Sequence, residues 1–317
     1  MERLLYFFAR ALIAFIQALP LTCVARLGRA GGALAYWLDA RHRRVALANL
    51  TMCFGNEKSQ AETRAIAKEN FRRIGEGYAC AVKTAAMSWE ELKPHCEFAG
   101  VEPVVKPSAN QRRESLVVAI GHFGNFELFA RFGQFIRMYR CATTYRALRQ
   151  PLLNRLMQSL REQSECLFFE RRTQFNELKS AMTEKNMILG LLADQHAGDG
   201  AVRLPFFGHE CSTSAAPAVL AVRYEARLFT AVCYRARLAH WRIELGDEIH
   251  THENGVVRST ESVMRDVNAA FEKAIRRDPA NWFWVHNRWK PPRSKLRRRK
   301  NFPSSAPQTE VQLENPR

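Results

Sequence analysis

The sequence predicts an α/β fold: a mixed central sheet flanked by helices, preceded by a hydrophobic N-terminal membrane-associated helix. Three observations predict it. From about residue 114, short apolar runs of strand length alternate with stretches of helical period. Residues 37 to 95 carry apolar side chains at three-to-four spacing, as in Thr63-Arg64-Ala65-Ile66-Ala67 and on to Val82. Residues Leu4 to Val24 are mostly apolar.

The N-terminal stretch resembles a signal peptide only superficially. It has no clear small-residue cleavage site, and Arg10, Gln17 and Pro20 interrupt it. Arg3, Arg10 and Gln17 are spaced by seven, so on a helix they share one narrow face. Such a helix can lie in a bilayer interface, or span it with Arg10 snorkelling. The plainer alternative is a surface helix packed on the core. Arg26, Arg29, Arg41, Arg43 and Arg44 follow, a positive flank that argues for a main domain on the cytoplasmic side. The expected organisation is an N-terminal helix over 1–25, a main domain over 26–292 and a basic, disordered tail over 293–317.

Within the main domain, Ser115 to Ile120 is a short apolar run ending at Gly121, which reads as a buried strand. Further strands are expected at Cys141 to Tyr145, Cys166 to Phe169, Met187 to Leu192, Leu228 to Tyr234 and Trp241 to Leu245. Helices are expected at Leu152 to Arg161, Thr173 to Glu184, Ser214 to Tyr224 and Glu261 to Arg276. From Arg288 to Lys300 there are eight Lys or Arg in thirteen residues. That run reads as a solvated tail or as an electrostatic clamp on anionic lipid.

Composition narrows the function classes. Hydrophobic residues make up 47% of the 317, which excludes a wholly disordered chain. The 48 Lys and Arg outnumber 31 Asp and Glu, for a formal net charge of +17. Such a surface favours nucleic acid, anionic lipid headgroups or an acidic carrier protein, and charge alone does not choose among them. The eight cysteines are scattered without a C-x-x-C pair, which argues against structural zinc and for reduced, buried thiols. His196, His209, His240, His250, His252 and His286 show no metal-type spacing, and His250 and His252 read as solvent-facing.

The chemistry concentrates in Gly121-His122-Phe123-Gly124-Asn125-Phe126-Glu127, which reads as strand, tight turn, helix. His122 then sits at the carboxyl end of a strand, where open α/β sheets place ligands. A spacing of five does not bring His122 and Glu127 onto one helix face. With Asn125 capping the helix, the chain folds back and carries the carboxylate to the imidazole. An imidazole so paired can take a proton from a hydroxyl near neutral pH. The plain alternative is that His122 ends the strand and Glu127 caps the helix.

The block resembles the H-x-x-x-x-[D/E] motif of the glycerolipid acyltransferase superfamily, and more closely the bacterial lipid A late acyltransferase branch, where it reads H-F-G-N-W-E; Phe126 stands in place of the tryptophan. Ala46 to Phe54 resembles that branch's N-L-x-x-C-F-P segment, with Gly55 for proline. Tyr145-Arg146-Ala147-Leu148 with Asn154-Arg155-Leu156, Leu192-Ala193-Asp194-Gln195, Leu204 to Gly208, Thr213 to Ala221 and Asn281 to Lys290 resemble its further blocks in order. The resemblance covers roughly residues 10 to 292. It implies an acyltransferase with His122 as general base and Glu127 as its partner, completed by Arg161 and Asp194. Gly124, Asn125, Arg146 and Gln195 would bind substrate, Arg146 by way of phosphate. It implies an acyl carrier protein or acyl-coenzyme A donor, a lipid acceptor such as a lipid A precursor, and a membrane surface with anionic lipids. It implies no cofactor and no metal, and places the protein at the bacterial inner membrane.

Within this class, a lysophospholipid, a glycosylated phosphoinositide or an amino lipid are rival acceptors. A nucleic-acid-binding protein would instead interleave Lys and Arg with exposed aromatics and has no need of an apolar N-terminal helix, so nucleic acid is not an expected partner. A non-catalytic membrane accessory protein is the third reading.

Overall fold

The computed structural model describes residues 2–106, 114–136, 138–184 and 186–291. The expected tail over 293–317 lies outside the described residues. Four helices come first: α1 (Glu2–Ala18), α2 (Leu21–Leu38), α3 (Ala40–Phe54) and α4 (Gln60–Thr84). Pro20, which has no N–H to give, divides the apolar N-terminal stretch into two helices rather than one. Ser59 and Glu62 form a capping box that starts α4, each satisfying the other's backbone N–H. Short helices α5 (Trp89–Leu92) and α6 (Glu102–Val105) flank the edge strand β1 (Cys96–Ala99).

The alternating region follows: β2 (Leu116–Ile120), α7 (Phe132–Phe135), β3 (Arg140–Tyr145), α8 (Pro151–Ser159), β4 (Leu167–Glu170), α9 (Phe175–Thr183) and β5 (Met187–Leu192). A hairpin of β6 (Val202–Phe206) and β7 (His209–Thr213), α10 (Ala216–Arg223), β8 (Arg227–Arg237) and β9 (His240–Ile249) come next. The chain continues through a small hairpin, β10 (His252–Glu253) and β11 (Val256–Val257), to α11 (Thr260–Arg277). His250 and His252 are exposed, as expected.

Seven strands form one sheet in the order β1-β9-β8-β2-β5-β3-β4. All neighbours run parallel except β8 and β9, so the sheet is mixed, as expected. Every residue of β2 is buried, which its unbroken Leu-Val-Val-Ala-Ile run anticipates for a central strand covered on both faces. Val117 and Ala119 pack into a core shared with α9, α10 and α11. Leu116, Val118 and Ile120 face a second core containing Phe132 and Ile136.

The chain leaves β2 toward β3 on one side and later places β8 on the other. The carboxyl end of β2 is therefore a switch point in strand order, the place where such sheets bind ligands. Arg288, which the sequence groups with the basic run, is instead fully buried. Its guanidinium donates to the Gln195 and Ser212 carbonyls and to Thr213 Oγ1.

No described helix is long and apolar enough to cross a membrane. Helix α1 has no buried residue, and Leu4, Leu5, Phe7, Phe8, Leu12 and Phe15 are exposed along it. Its ends are held: Glu2 accepts from the Leu152 N–H, while Gln17 donates to Val82 O and accepts from Lys83. All eight cysteines are free thiols.

Candidate active site

Strand β2 delivers His122 by a tight turn. The Gly121 N–H still pairs with Ala231 O, and the Phe123 N–H closes back onto Gly121 O at 2.9 Å, which puts His122 at the apex of a three-residue turn. Two residues on, Gly124 has φ +48°, and a Cβ there would meet Cys233 O at 2.5 Å. Both the backbone angle and the close approach require glycine. Phe123 is fully buried and bridges to Trp282, so the turn is fastened on its inner side.

The partner of His122 follows from strand register. Ile120 of β2 lies opposite Leu192 of β5. Two residues beyond each are His122 and Asp194, and they meet. His122 Nδ1 lies 2.6 Å from Asp194 Oδ1, and the His122 N–H donates to Oδ2 at 2.7 Å. Trp282 Nε1 donates to the same Oδ2 at 2.6 Å. Asp194 is 1% exposed. Burial works against its ionisation, but the charge and hydrogen bonds of His122, with the Trp282 donor, outweigh that and hold the carboxyl below its usual pKa. An ionised carboxylate only accepts. Nδ1 therefore carries a ring proton, and whenever the ring is neutral its lone pair falls on Nε2.

The carboxylate hydrogen-bonded to the imidazole is thus Asp194, and Glu127 makes its hydrogen bonds elsewhere. Residues Phe126–Arg131 wind as a 3₁₀ helix, and Asn125 makes no side-chain cap. That course takes Glu127 to Arg161, whose Nη2 and Nε donate to its two oxygens at 2.9 and 3.3 Å. Arg161 also lies over the Phe168 ring at 4.8 Å and the Tyr145 ring at 5.9 Å. Its Nη1 hydrogen-bonds nothing among the described residues. Asn125 is buried, and its amide faces Thr84 Oγ1 of α4 rather than the first turn of a helix.

Three spaces meet here. A broad cleft is lined by His122, Glu127, Arg146, Arg161 and Gln195, bringing five of the expected residues together. Arg146 is exposed at the end of β3. A smaller pocket on the α4 side adds Gly124 and Asn125 to His122 and Glu127. An apolar cavity runs from Glu127, Tyr145 and Arg161 over the sheet face formed by Ile120, Gly190 and Leu192. Phe126 and Phe283 stand beside the imidazole, with ring centroids 4.9 and 6.0 Å from it.

Sequence reasoning missed the contribution of the segment after α11. Asn49 of α3 donates to the Trp284 and His286 carbonyls, and Asn70 of α4 donates to those of Ala280 and Trp282. These two buried amides hold the segment so that the Trp282 indole reaches Asp194. His286 Nε2 accepts from the His196 N–H at 2.9 Å. Burial pushes the His286 pKa down to about 4 against the pull of Asp194, so the ring stays a neutral acceptor.

The family described as bacterial lipid A biosynthesis acyltransferase matches residues 1–291. The lipid A biosynthesis palmitoleoyltransferase of Escherichia coli K12 is 26% identical over 284 residues, 86% of either chain. A Shigella flexneri lipid A biosynthesis acyltransferase matches to the same extent. The lipid A biosynthesis myristoyltransferase of Escherichia coli K12 is 33% identical over 98 residues, 31% of this chain and 29% of that one. With a family match along nearly all of its described length, this chain belongs to the bacterial lipid A biosynthesis acyltransferases.

Proposed function

We propose that the protein transfers a fatty acyl chain from a thioester, on acyl carrier protein or coenzyme A, to a hydroxyl of a lipid A precursor, with His122 as general base. The observation that carries this reading is the His122–Asp194 pair at the edge of a cleft that adjoins an apolar cavity. The acceptor hydroxyl gives its proton to His122 Nε2 as its oxygen attacks the thioester carbonyl. Asp194 keeps the ring in the tautomer that can accept that proton and stabilises the imidazolium. The tetrahedral oxyanion collapses, the C–S bond breaks, and the imidazolium returns the proton to the leaving thiolate.

Arg161, oriented by Glu127, offers its remaining Nη1 to the oxyanion. The acyl chain lies in the apolar cavity. Arg146, which has no hydrogen-bond or ion-pair partner among the described residues, binds phosphate on a substrate.

The test is direct. Purified protein given a long-chain acyl thioester and a lipid A precursor should yield a product heavier by one acyl group in mass spectrometry, and His122→Ala should not. Equal product from both proteins would remove the imidazole from the reaction, and none from either would remove the acceptor class.

The same reading places the protein on the cytoplasmic side of the bacterial inner membrane, attached in the plane of the interface. Leu4 and Phe8 of α1 are 75% and 71% exposed, and Leu34, Trp37 and Leu38 of α2 are exposed as well. Arg10 and Arg26, both exposed, supply attraction for anionic headgroups, and the net charge suits an acidic carrier. Phe7→Glu with Phe8→Glu should lower the fraction bound to anionic vesicles by at least about tenfold, since two exposed aromatic side chains would otherwise enter the bilayer. Unchanged flotation would place the attachment elsewhere.

A further inference from the structure

A second apolar cavity approaches the site from the opposite side of the 126–131 segment. Its walls include Ile13 of α1, Val82 and Ala85 around the end of α4, Leu128, and Leu160 after α8. Its inner end is Glu127 and Arg161, the ion pair that also borders the first apolar cavity and the His122 cleft. We infer that this cavity binds an alkyl chain of the acceptor lipid, so that donor and acceptor chains enter from opposite sides and meet at Glu127–Arg161. The inference rests on the acyl-transfer reading and deepens it by assigning the acceptor its own apolar site.

Three arguments select that occupant. The first cavity, on the sheet side of the segment, already accounts for the donor chain, and a thioester carries one chain to the reaction. Helix α1 gives Ile13 to the wall of the second cavity and is fixed beside it: Glu2 ties it to the start of α8, and Gln17 ties it to α4. Its far face is bare and apolar at Phe7, Phe8 and Phe15. A chain drawn from a bilayer against that face passes beneath α1 without crossing water, and the free energy of keeping an alkyl chain out of water favours that path. The charged pair at the inner end stops an apolar chain there and leaves its polar headgroup to the open cleft, where Arg146 and Gln195 stand.

The experiment fills the cavity from two walls that touch neither His122 nor the first cavity. Ala85→Phe and Leu160→Trp are compared with wild type on two acceptors: the lipid A precursor used above and a water-soluble homologue with truncated chains. Each variant should raise KM for the long-chain acceptor by about tenfold or more, the loss expected when a few methylenes are turned out of an apolar site. KM for the truncated acceptor and the donor chain-length profile should stay at wild-type values. Two independent variants, each checked by circular dichroism, separate a filled cavity from a misfolded chain. An equal rise for both acceptors, no rise for either, or a changed donor profile would overturn the inference while acyl transfer by wild type stands. Absence of transfer by wild type would overturn the acyl-transfer reading and this inference with it.

Discussion

Asp194→Asn should lower kcat by about 10⁴-fold, with KM for both substrates near wild type and the chain folded. The expected size is that found when the buried acid of a hydrolase triad becomes an amide. The reason is tautomeric. In the native site Asp194 can only accept, so Nδ1 of His122 holds the proton and Nε2 is free to take another. An asparagine in the same place can still accept from Trp282 Nε1 and the His122 N–H through its single oxygen, so the turn stays in place. Its amide nitrogen then faces Nδ1 as a donor, which drives the ring proton to Nε2 and removes the base. The carboxyl is held below its usual pKa. The stability it contributes is therefore complete above the ordinary carboxylate value and is lost only as pH falls through the lowered one. At neutral pH the kinetic effect is read on a fully ionised group. Steady-state kinetics with saturating thioester decides the matter, and a kcat within tenfold of wild type would remove Asp194 from the reaction.

That prediction also marks where the sequence stopped being legible. The strands Leu116–Ile120 and Met187–Leu192 were readable because a central parallel strand is apolar throughout, and His122 was readable because it follows one of them directly. Asp194 was legible only through the family resemblance, and its pairing with His122 was not. Seventy-two residues separate His122 from Asp194, and their meeting depends on β2 and β5 being neighbours in register, which no local spacing encodes. Reasoning from a spacing of five assumed a helix capped by Asn125; a 3₁₀ helix and a buried Asn125 stand there instead.

The edge strand Cys96–Ala99 was missed because three half-covered residues and an exposed Glu97 make no apolar run. The hairpin Val202–Phe206 with His209–Thr213 was hidden by Pro205, which reads as a strand breaker but sits in a two-stranded sheet where one missing donor is tolerated. Trp282 had no periodic signal. Its place is set by two buried asparagines from α3 and α4, more than two hundred residues away in the chain.

Gly190→Leu should shift the preferred donor toward shorter acyl chains and lower kcat/KM for the longest accepted one by about 200-fold. Gly190 sits in the middle of β5, between Val118 of β2 and Thr143 of β3. Its backbone angle lies outside the left-handed region, so the chain path alone does not call for glycine. A glycine inside a strand costs about 0.5–1 kcal/mol relative to alanine, so space is the remaining reason for it. A Cβ there would meet Ile120 Cδ1 at 2.7 Å, and both residues form the floor of the apolar cavity with Leu192. The end of an isoleucine can give way. A leucine would then project into the cavity and displace a comparable length of acyl chain. Four methylenes turned out into water at about 0.8 kcal/mol each amount to roughly 3 kcal/mol, hence the factor near 200. Gly190→Ala should shift the profile in the same direction by less. The measurement is kcat/KM over a series of thioester chain lengths with one acceptor. A parallel loss at every length would mean that the substitution damages the sheet and that the donor chain does not run over Gly190.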